Sequence, residues 1–372
     1  MNDLKYWVAI SKVAGVGRVR FRALETAFGS MESAWKASAS ELRQAGLDSR
    51  TVNAIIASRS RIDPDAEMER LEKLRVKAIA WNDPLYPARL KEIDDLPPIL
   101  YVRGTLTPED EWAVSVVGTR RATIYGRQVA EAVTEDLARN KITIVSGLAR
   151  GIDAVAHRSA LNAGGRTIAV LACGLDMVYP AEHANLAKEI IQQGALVSEH
   201  PLGTPPKSEY FPRRNRIMSG LSLGVLVVEA GDDSGALITA RLAAEQNREV
   251  FAIPGNILAP ASLGTNRLIQ EGAKLVIDFK DILEELNLTA RSRQMELPQL
   301  APVNDLEAGI IKHLSYQPTH IDELRRQTRL PIDLISSTLT MMELKGLAKQ
   351  VGGMNYVLSR EAQAAYVAGK AQ

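Results

Sequence analysis

Between Ala113 and His157 the chain repeats one pattern twice: a short β-branched run, a glycine turn carrying arginine, then a stretch with helical spacing. The first unit is Val114 to Val117, Gly118-Thr119-Arg120-Arg121 and a helix from about Tyr125 to Arg139. The second is Ile142 to Val145, Ser146-Gly147-Leu148-Ala149-Arg150 and a helix from about Ile152 to Asn162. Apolar runs without polar alternation suit strands covered on both faces, so two of them separated by helices predict a doubly wound parallel sheet. The alternation continues, with strands expected near Thr167–Leu171, Leu196–Ser198, Val225–Val228 and Val250–Ile253 and a weaker one at Lys274–Ile277. Helices are expected near His183–Gln193, Asn215–Leu221, Ala236–Gln246 and Asn266–Glu271, which makes a sheet of about seven strands.

The ends of the chain have a different pattern. The first 62 residues are helical in spacing and basic, with ten Lys or Arg against five acids. A Gly15-Val16-Gly17 turn separates two short helices there and recurs loosely as Ala45-Gly46-Leu47. Such hairpins either present backbone N–H groups to a nucleic-acid phosphate or form a small packing module with solvated arginines, and the sequence leaves both open. From Leu71 the pattern shifts: Lys77–Trp81 reads as a strand, and the proline-rich segments 83–87 and 96–101 read as extended chain pinned against a core. Residues 289–304 lack periodicity and read as a linker. Beyond them, three short helices and a hairpin predict a winged helix. Thr319 is its expected N-cap, Pro331 opens the third helix, Gly346 ends it, and Ala348–Gln350 with Tyr356–Leu358 forms the wing. Between residues 305 and 358, six basic residues (Lys312, Arg325, Arg326, Arg329, Lys345, Lys349) balance six acids, which favours a protein-contact or weakly binding role over sequence reading.

Composition narrows the class. A chain of 372 residues exceeds one compact core and predicts two or three domains. Cys173 is the sole cysteine, so a disulfide framework and a multi-cysteine metal site are excluded, and it follows a strand-like run as a packed thiol would. With no apolar stretch of membrane-spanning length and an acid where a signal peptide is basic, the expectation is a cytoplasmic protein without membrane contact. A net charge of +1 means that any anion binding has to come from local clusters.

Those clusters fall on the loops that the parallel sheet brings to its carboxyl edge, where helix N-termini and free N–H groups favour anions. A dinucleotide site needs G-x-G-x-x-G after the first strand and an acid after the second, whereas here the loop reads Gly118-Thr119-Arg120-Arg121 and the second strand ends in Val145-Ser146. A P-loop, a histidine pair with metal spacing and a G-x-S-x-G elbow are likewise missing from the sequence, so no cofactor and no metal is expected. What recurs is cationic: Arg120, Arg121 and Arg150 in the first two loops, then Lys207, Arg213, Arg214 and Arg216 with Tyr210 and Phe211 among them. Cations interleaved with aromatics match a groove that follows a phosphate backbone while rings stack on bases.

At these residues the chain resembles the DNA-processing protein A family, DprA/Smf. The blocks are VGTRRATIYG (117–126), SGLARGIDAVAH (146–157), YPAEHANL (179–186), FPRRNRIMSGLS (211–222), the long run 227–255 and GTNRLIQEGA (264–273), with DPLYP and LPPILYVRG upstream. The resemblance spans about Leu71 to Leu286. It implies an α/β chain with an extended Rossmann-like core (66–288), a helical sterile-alpha-motif or helix-hairpin-helix-like domain before it (1–65), and a winged helix after the linker (305–360) with a tail at 361–372. It further implies a non-enzymatic protein that binds single-stranded DNA, dimerises through the Rossmann domain, and loads RecA recombinase during natural transformation. Carried over by motif, the expected DNA site comprises Gly118, Thr119, Arg120 and Arg121, Gly147 and Arg150, Lys207 and Phe211, and the run Arg213, Arg214, Asn215 and Arg216. The rival class is a Rossmann-like hydrolase of nucleoside monophosphates, with Glu199 or Glu229 at a strand end as the catalytic acid. The P-G-G-x-G-T-x-x-E motif of such enzymes is missing, so a capping or structural role for both glutamates is expected.

Overall fold

The computed structural model describes residues 3–288, 305–315, 317–345 and 347–358. They form two compact units, one up to residue 288 and one from residue 305. The first opens with six helices, α1 (Leu4–Ser11), α2 (Arg18–Phe28), α3 (Met31–Lys36), α4 (Ala39–Gln44), α5 (Ser49–Ser58) and α6 (Pro64–Lys73). Both glycine turns that the sequence singles out are left-handed, with φ +86° at Gly15 and +85° at Gly46. Polar caps stop these short helices from fraying: Ser30 accepts from the Ser33 amide, Asp48 from Thr51, and Asp63 from Asp65 ahead of a proline at the first position. Trp7 stacks on Phe21 at 5.5 Å and meets Trp81 edge-on at 5.7 Å, so the helices and the sheet share one hydrophobic core.

The sheet has nine strands in the order β1-β2-β6-β5-β4-β3-β7-β8-β9. Its parallel part consists of β3 (Ala113–Val117), β4 (Thr143–Ser146), β5 (Thr167–Val170), β6 (Ala195–Ser198), β7 (Gly224–Val227), β8 (Glu249–Ala252) and β9 (Lys274–Leu275), the seven strands expected. The count of seven is nevertheless too low. The segment at Lys77–Trp81 is β1 (Val76–Ala80), the proline-flanked chain after it becomes β2 (Ile99–Gly104), and this antiparallel pair extends the sheet through Tyr101 opposite Ser198. Helices α7 (Ile124–Arg139), α8 (Ile152–Asn162), α9 (Ala184–Gln193), α10 (Tyr210–Gly220), α11 (Gly235–Glu245), α12 (Leu263–Gln270) and α13 (Phe279–Glu285) fill the intervals.

Strand alternation fixes what each face touches. In β3, Val114 and Val116 enter one apolar cluster and Ala113 and Val117 the other. Ser115, on the second face and fully buried, meets the Met218 carbonyl at 3.0 Å and the Ser222 hydroxyl at 2.9 Å, which anchors α10 over the sheet. This helix begins five residues before the expected Asn215. Pro212 falls in its first turn, where a missing N–H costs nothing, so Tyr210, Phe211 and the arginines after them lie on a helix start, and only Lys207 is in the loop before it. Likewise α12 starts at Leu263, ahead of the expected Asn266.

The second unit has helices α14 (Asp305–Ile311), α15 (Ile321–Thr328) and α16 (Ile332–Leu344) and a sheet of β10 (Thr319–His320), β12 (Asn355–Leu358) and β11 (Ala348–Gln350), the winged-helix arrangement. Thr319 lies in β10, and the ring of His320 caps α15 in its place, accepting from the Asp322 amide at 3.3 Å. Pro331 takes the cap position just before Ile332. Gly346, the 289–304 linker and the 361–372 tail lie outside the described residues. Among those described, no helix is long and apolar enough to cross a membrane.

Candidate functional site

The strand order reverses direction at β3, with β4 on one side and β7 on the other, so the loops after β3 and β7 part and leave a crevice at the carboxyl edge. A cavity of about 920 Å3 occupies it. Gly118 and Arg120 line one wall and Ser234 and Gly235, at the start of α11, the other, while Phe211 and Arg214 come from α10.

Backbone contacts tie the first two arginine loops together. The Thr119 amide donates to the Glu229 carbonyl at 2.7 Å, and the Ile152 amide donates to the Thr119 carbonyl at 3.2 Å. Gly151 is left-handed at φ +76°, and a Cβ there would run into the Thr119 carbonyl, so α8 can start against the first loop only from a glycine. Leu148 is also left-handed, at φ +56°, fully buried, with its carbonyl accepting from the His183 ring at 2.8 Å. The side chains that result have different environments. Arg120 is exposed, has no hydrogen-bond or ion-pair partner among the described residues, and lies with its guanidinium 5.5 Å from the centre of the Phe211 ring. The rings of Phe211 and Tyr179 are 5.6 Å apart, and Lys207 lies 5.5 Å over Tyr210. Arg121 and Arg213 are exposed as well, without a side-chain partner among the described residues.

The other cations of the expected set are engaged within the protein. Arg150 makes a two-pronged pair with Glu182, both contacts at 2.7 Å, on the surface. Arg216 is mostly buried, reaching Glu199 at 2.8 Å and Asp95 at 3.0 Å; burial opposes its charge, but the two carboxylates outweigh that and raise its pKa. Arg214 is only 5% exposed, and donates to the carbonyls of Gly147, at 2.6 Å, and Val170, with its Nε 3.1 Å from the side-chain oxygen of the buried Asn215. The geometry therefore does not place the basic run on one surface: of Arg213, Arg214 and Arg216, only Arg213 is exposed, because the helix turns its neighbours inward onto carbonyls and acids from distant segments.

Sequence reasoning passed over two residues of this site. Asp153, in the first turn of α8, is buried and accepts from the amides of Gly147 at 3.2 Å and Ala149 at 3.3 Å. Burial raises its pKa, against the pull of Arg214 and those amides. An acid in the first turn of a helix after a glycine loop was the available signal. Tyr179, half-exposed beside Phe211, lies in the YPAEHANL block, where nothing local marks it as a neighbour of residue 211. The two glutamates weighed as catalytic acids are committed elsewhere: Glu199 to Arg216, and Glu229, 3% exposed, to the amide and hydroxyl of Thr123 ahead of α7. Cys173 is a packed thiol, pushed up to about 11 by burial.

An open sheet with glycine loops, helix starts and a cation–aromatic wall at its switch point defines a Rossmann-like α/β protein with an anion-accepting crevice. The family model described as DNA recombination-mediator protein A matches residues 77–287, the DprA winged helix domain model matches 294–354, and the chain belongs to the DNA recombination-mediator protein A family. Among characterised relatives, Protein Smf of Escherichia coli is 40% identical over 86% of this chain and 87% of its own. Protein Smf of Synechocystis is 36% identical over 95% of this chain and 98% of its own. The crystal structure of DNA processing protein A from Streptococcus pneumoniae superposes with a TM-score of 0.67 at 37% identity, over 76% of this chain and 97% of that one. DNA processing protein A from Helicobacter pylori, described for its single-stranded DNA binding mode, gives 0.52 at 30% identity, over 57% of this chain and 96% of that one.

Proposed function

We propose that this protein binds single-stranded DNA along the carboxyl edge of its sheet and, as a homodimer, delivers it to RecA recombinase during natural transformation. The observation that carries the reading is Arg120, an exposed guanidinium without a hydrogen-bond or ion-pair partner among the described residues, 5.5 Å from the centre of the Phe211 ring in the lining of the crevice. A cation beside a ring offers a phosphate contact and a base-stacking surface within one nucleotide step. Arg121, Lys207 and Arg213, also exposed, extend the positive surface in a chain whose net charge is only +1. The single-stranded DNA binding mode described for the Helicobacter pylori relative supports the same ligand. For the dimer, support comes from the far edge of the sheet: β9 ends the order, and Leu275 in it and Ile277 just after it, 37% and 81% exposed, leave an apolar edge that a second copy would cover.

Competition for a labelled mixed-sequence oligonucleotide tests the reading. Unlabelled single strand should displace it at lower concentration than duplex of equal length, because stacking needs exposed base faces. Equal displacement by duplex would remove the reading. Faster nucleation of RecA on single strands precoated with single-strand-binding protein tests the delivery step.

A further inference from the structure

We infer that Arg214 is a positioning residue of the nucleic-acid groove, a buried clamp that sets the second glycine loop and the Phe211 ring and does not itself touch phosphate. The inference rests on the single-stranded DNA reading above and reassigns a member of its basic run.

Four segments converge on this guanidinium. Its Nη1 donates to the carbonyl of Gly147, in the loop after β4, and to that of Val170, the last residue of β5. Its Nε donates to Asn215, whose amide in turn lies 3.5 Å from the Gly235 carbonyl at the start of α11. Its own helix start holds Phe211, whose ring centre lies 6.0 Å from the Arg214 guanidinium and 5.5 Å from that of Arg120. The loop that receives the clamp is built around it. Gly147 has no room for a Cβ, because one would collide with the Arg214 guanidinium. Asp153 holds the amides of Gly147 and Ala149 from the other side, and its carboxylate offsets the buried positive charge. The Gly147 carbonyl turned toward Arg214 and the Gly147 and Ala149 amides turned toward Asp153 hold the loop at two points. A guanidinium on a side chain only 5% exposed, with Nη1 held by two main-chain carbonyls and Nε by Asn215, is placed to fix geometry. Lysine cannot replace it, since one ammonium on a flexible stem does not reproduce the planar fork.

Arg214→Lys and Gly147→Ala test this in the full-length protein, the second keeping every charge in place. Each is compared with wild type and with Arg120→Ala by anisotropy with a labelled single strand across a salt series, at a temperature where melting curves show the variants folded. A clamp predicts that both weaken binding by about tenfold, the scale of one displaced stacking contact, with the slope of log affinity against log salt as in wild type. In the Arg120→Ala background, the added effect of either should shrink, since the clamp acts through the Arg120–Phe211 wall. A fall in slope of roughly 0.7 for Arg214→Gln, which removes the charge that lysine keeps, would make Arg214 a phosphate contact and overturn the inference. Wild-type affinity in either variant, or full additivity with Arg120→Ala, would overturn it as well. Failure of wild type to bind single strands would instead remove the reading beneath it.

Discussion

The carboxylate of Glu229 sits under the start of the helix that follows the first glycine loop, 2.9 Å from the Thr123 amide and 2.6 Å from its hydroxyl. One acid at the end of β7 thus caps an element reached from β3, and it holds the Arg120 loop against the second half of the sheet. Glu229→Ala removes two hydrogen bonds to Thr123 from a carboxylate that is only 3% exposed, and should cost roughly 1–3 kcal/mol of stability in a urea titration. Nucleoside monophosphates incubated with the wild-type protein should give no Glu229-dependent free base. Base release that disappears in the variant would make this residue catalytic.

Arg120 and Phe211 touch each other yet should fail differently. Arg120→Ala removes a phosphate contact, so it should weaken binding for all sequences alike and reduce the magnitude of the salt slope by roughly 0.7. Phe211→Ala removes stacking of about 1–3 kcal/mol and should leave the slope almost unchanged. Anisotropy titrations at several salt concentrations separate the two. An unchanged slope in Arg120→Ala would move the groove elsewhere, and the basic helices of residues 1–62 would be the next place to look.

His157 is fully buried on α8, with Nδ1 at 2.7 Å from the Thr167 hydroxyl and Nε2 without a partner among the described residues. Burial, with His183 and Arg214 nearby, lowers its pKa from 6.5 to about 3. A group depressed in the folded state binds its proton more readily when unfolded. The stability it contributes is therefore complete above pH 6.5 and falls as pH drops from 6.5 toward 3, by about 1.4 kcal/mol per unit. Thermal melts between pH 7 and pH 5 should show this fall, and His157→Gln should flatten it in part. His200, whose pKa burial also lowers, supplies a residual dependence.

At the far edge of the sheet, Ile277→Arg should place a charge where a second copy would pack. Sedimentation at micromolar protein should show a dimer for wild type and the 40.6 kDa monomer for the variant. A wild-type monomer under the same conditions would remove the dimer proposal.

The sequence by itself determined the seven parallel strands, the two arginine-bearing glycine loops and the winged-helix elements. Each is written locally: unbroken β-branched runs for strands with two covered faces, glycine where the chain turns, helical spacing in between. It also pointed to Cys173 as core, and the structure pairs both strand-end glutamates, Glu199 with Arg216 and Glu229 with Thr123. Tertiary structure alone decided two things. One was that β1 and β2 join the same sheet, because their pairing runs from Tyr101 to Ser198 and prolines around β2 hide its strand character. The other was which arginines are free. Arg120, Arg121 and Arg213 face outward, whereas Arg150, Arg214 and Arg216 are held by Glu182, by the Gly147 and Val170 carbonyls, and by Glu199 and Asp95. A basic run records charge but not its counter-charges. Asp95 lies 121 residues from Arg216 along the chain, and folding alone brings the two within 3.0 Å.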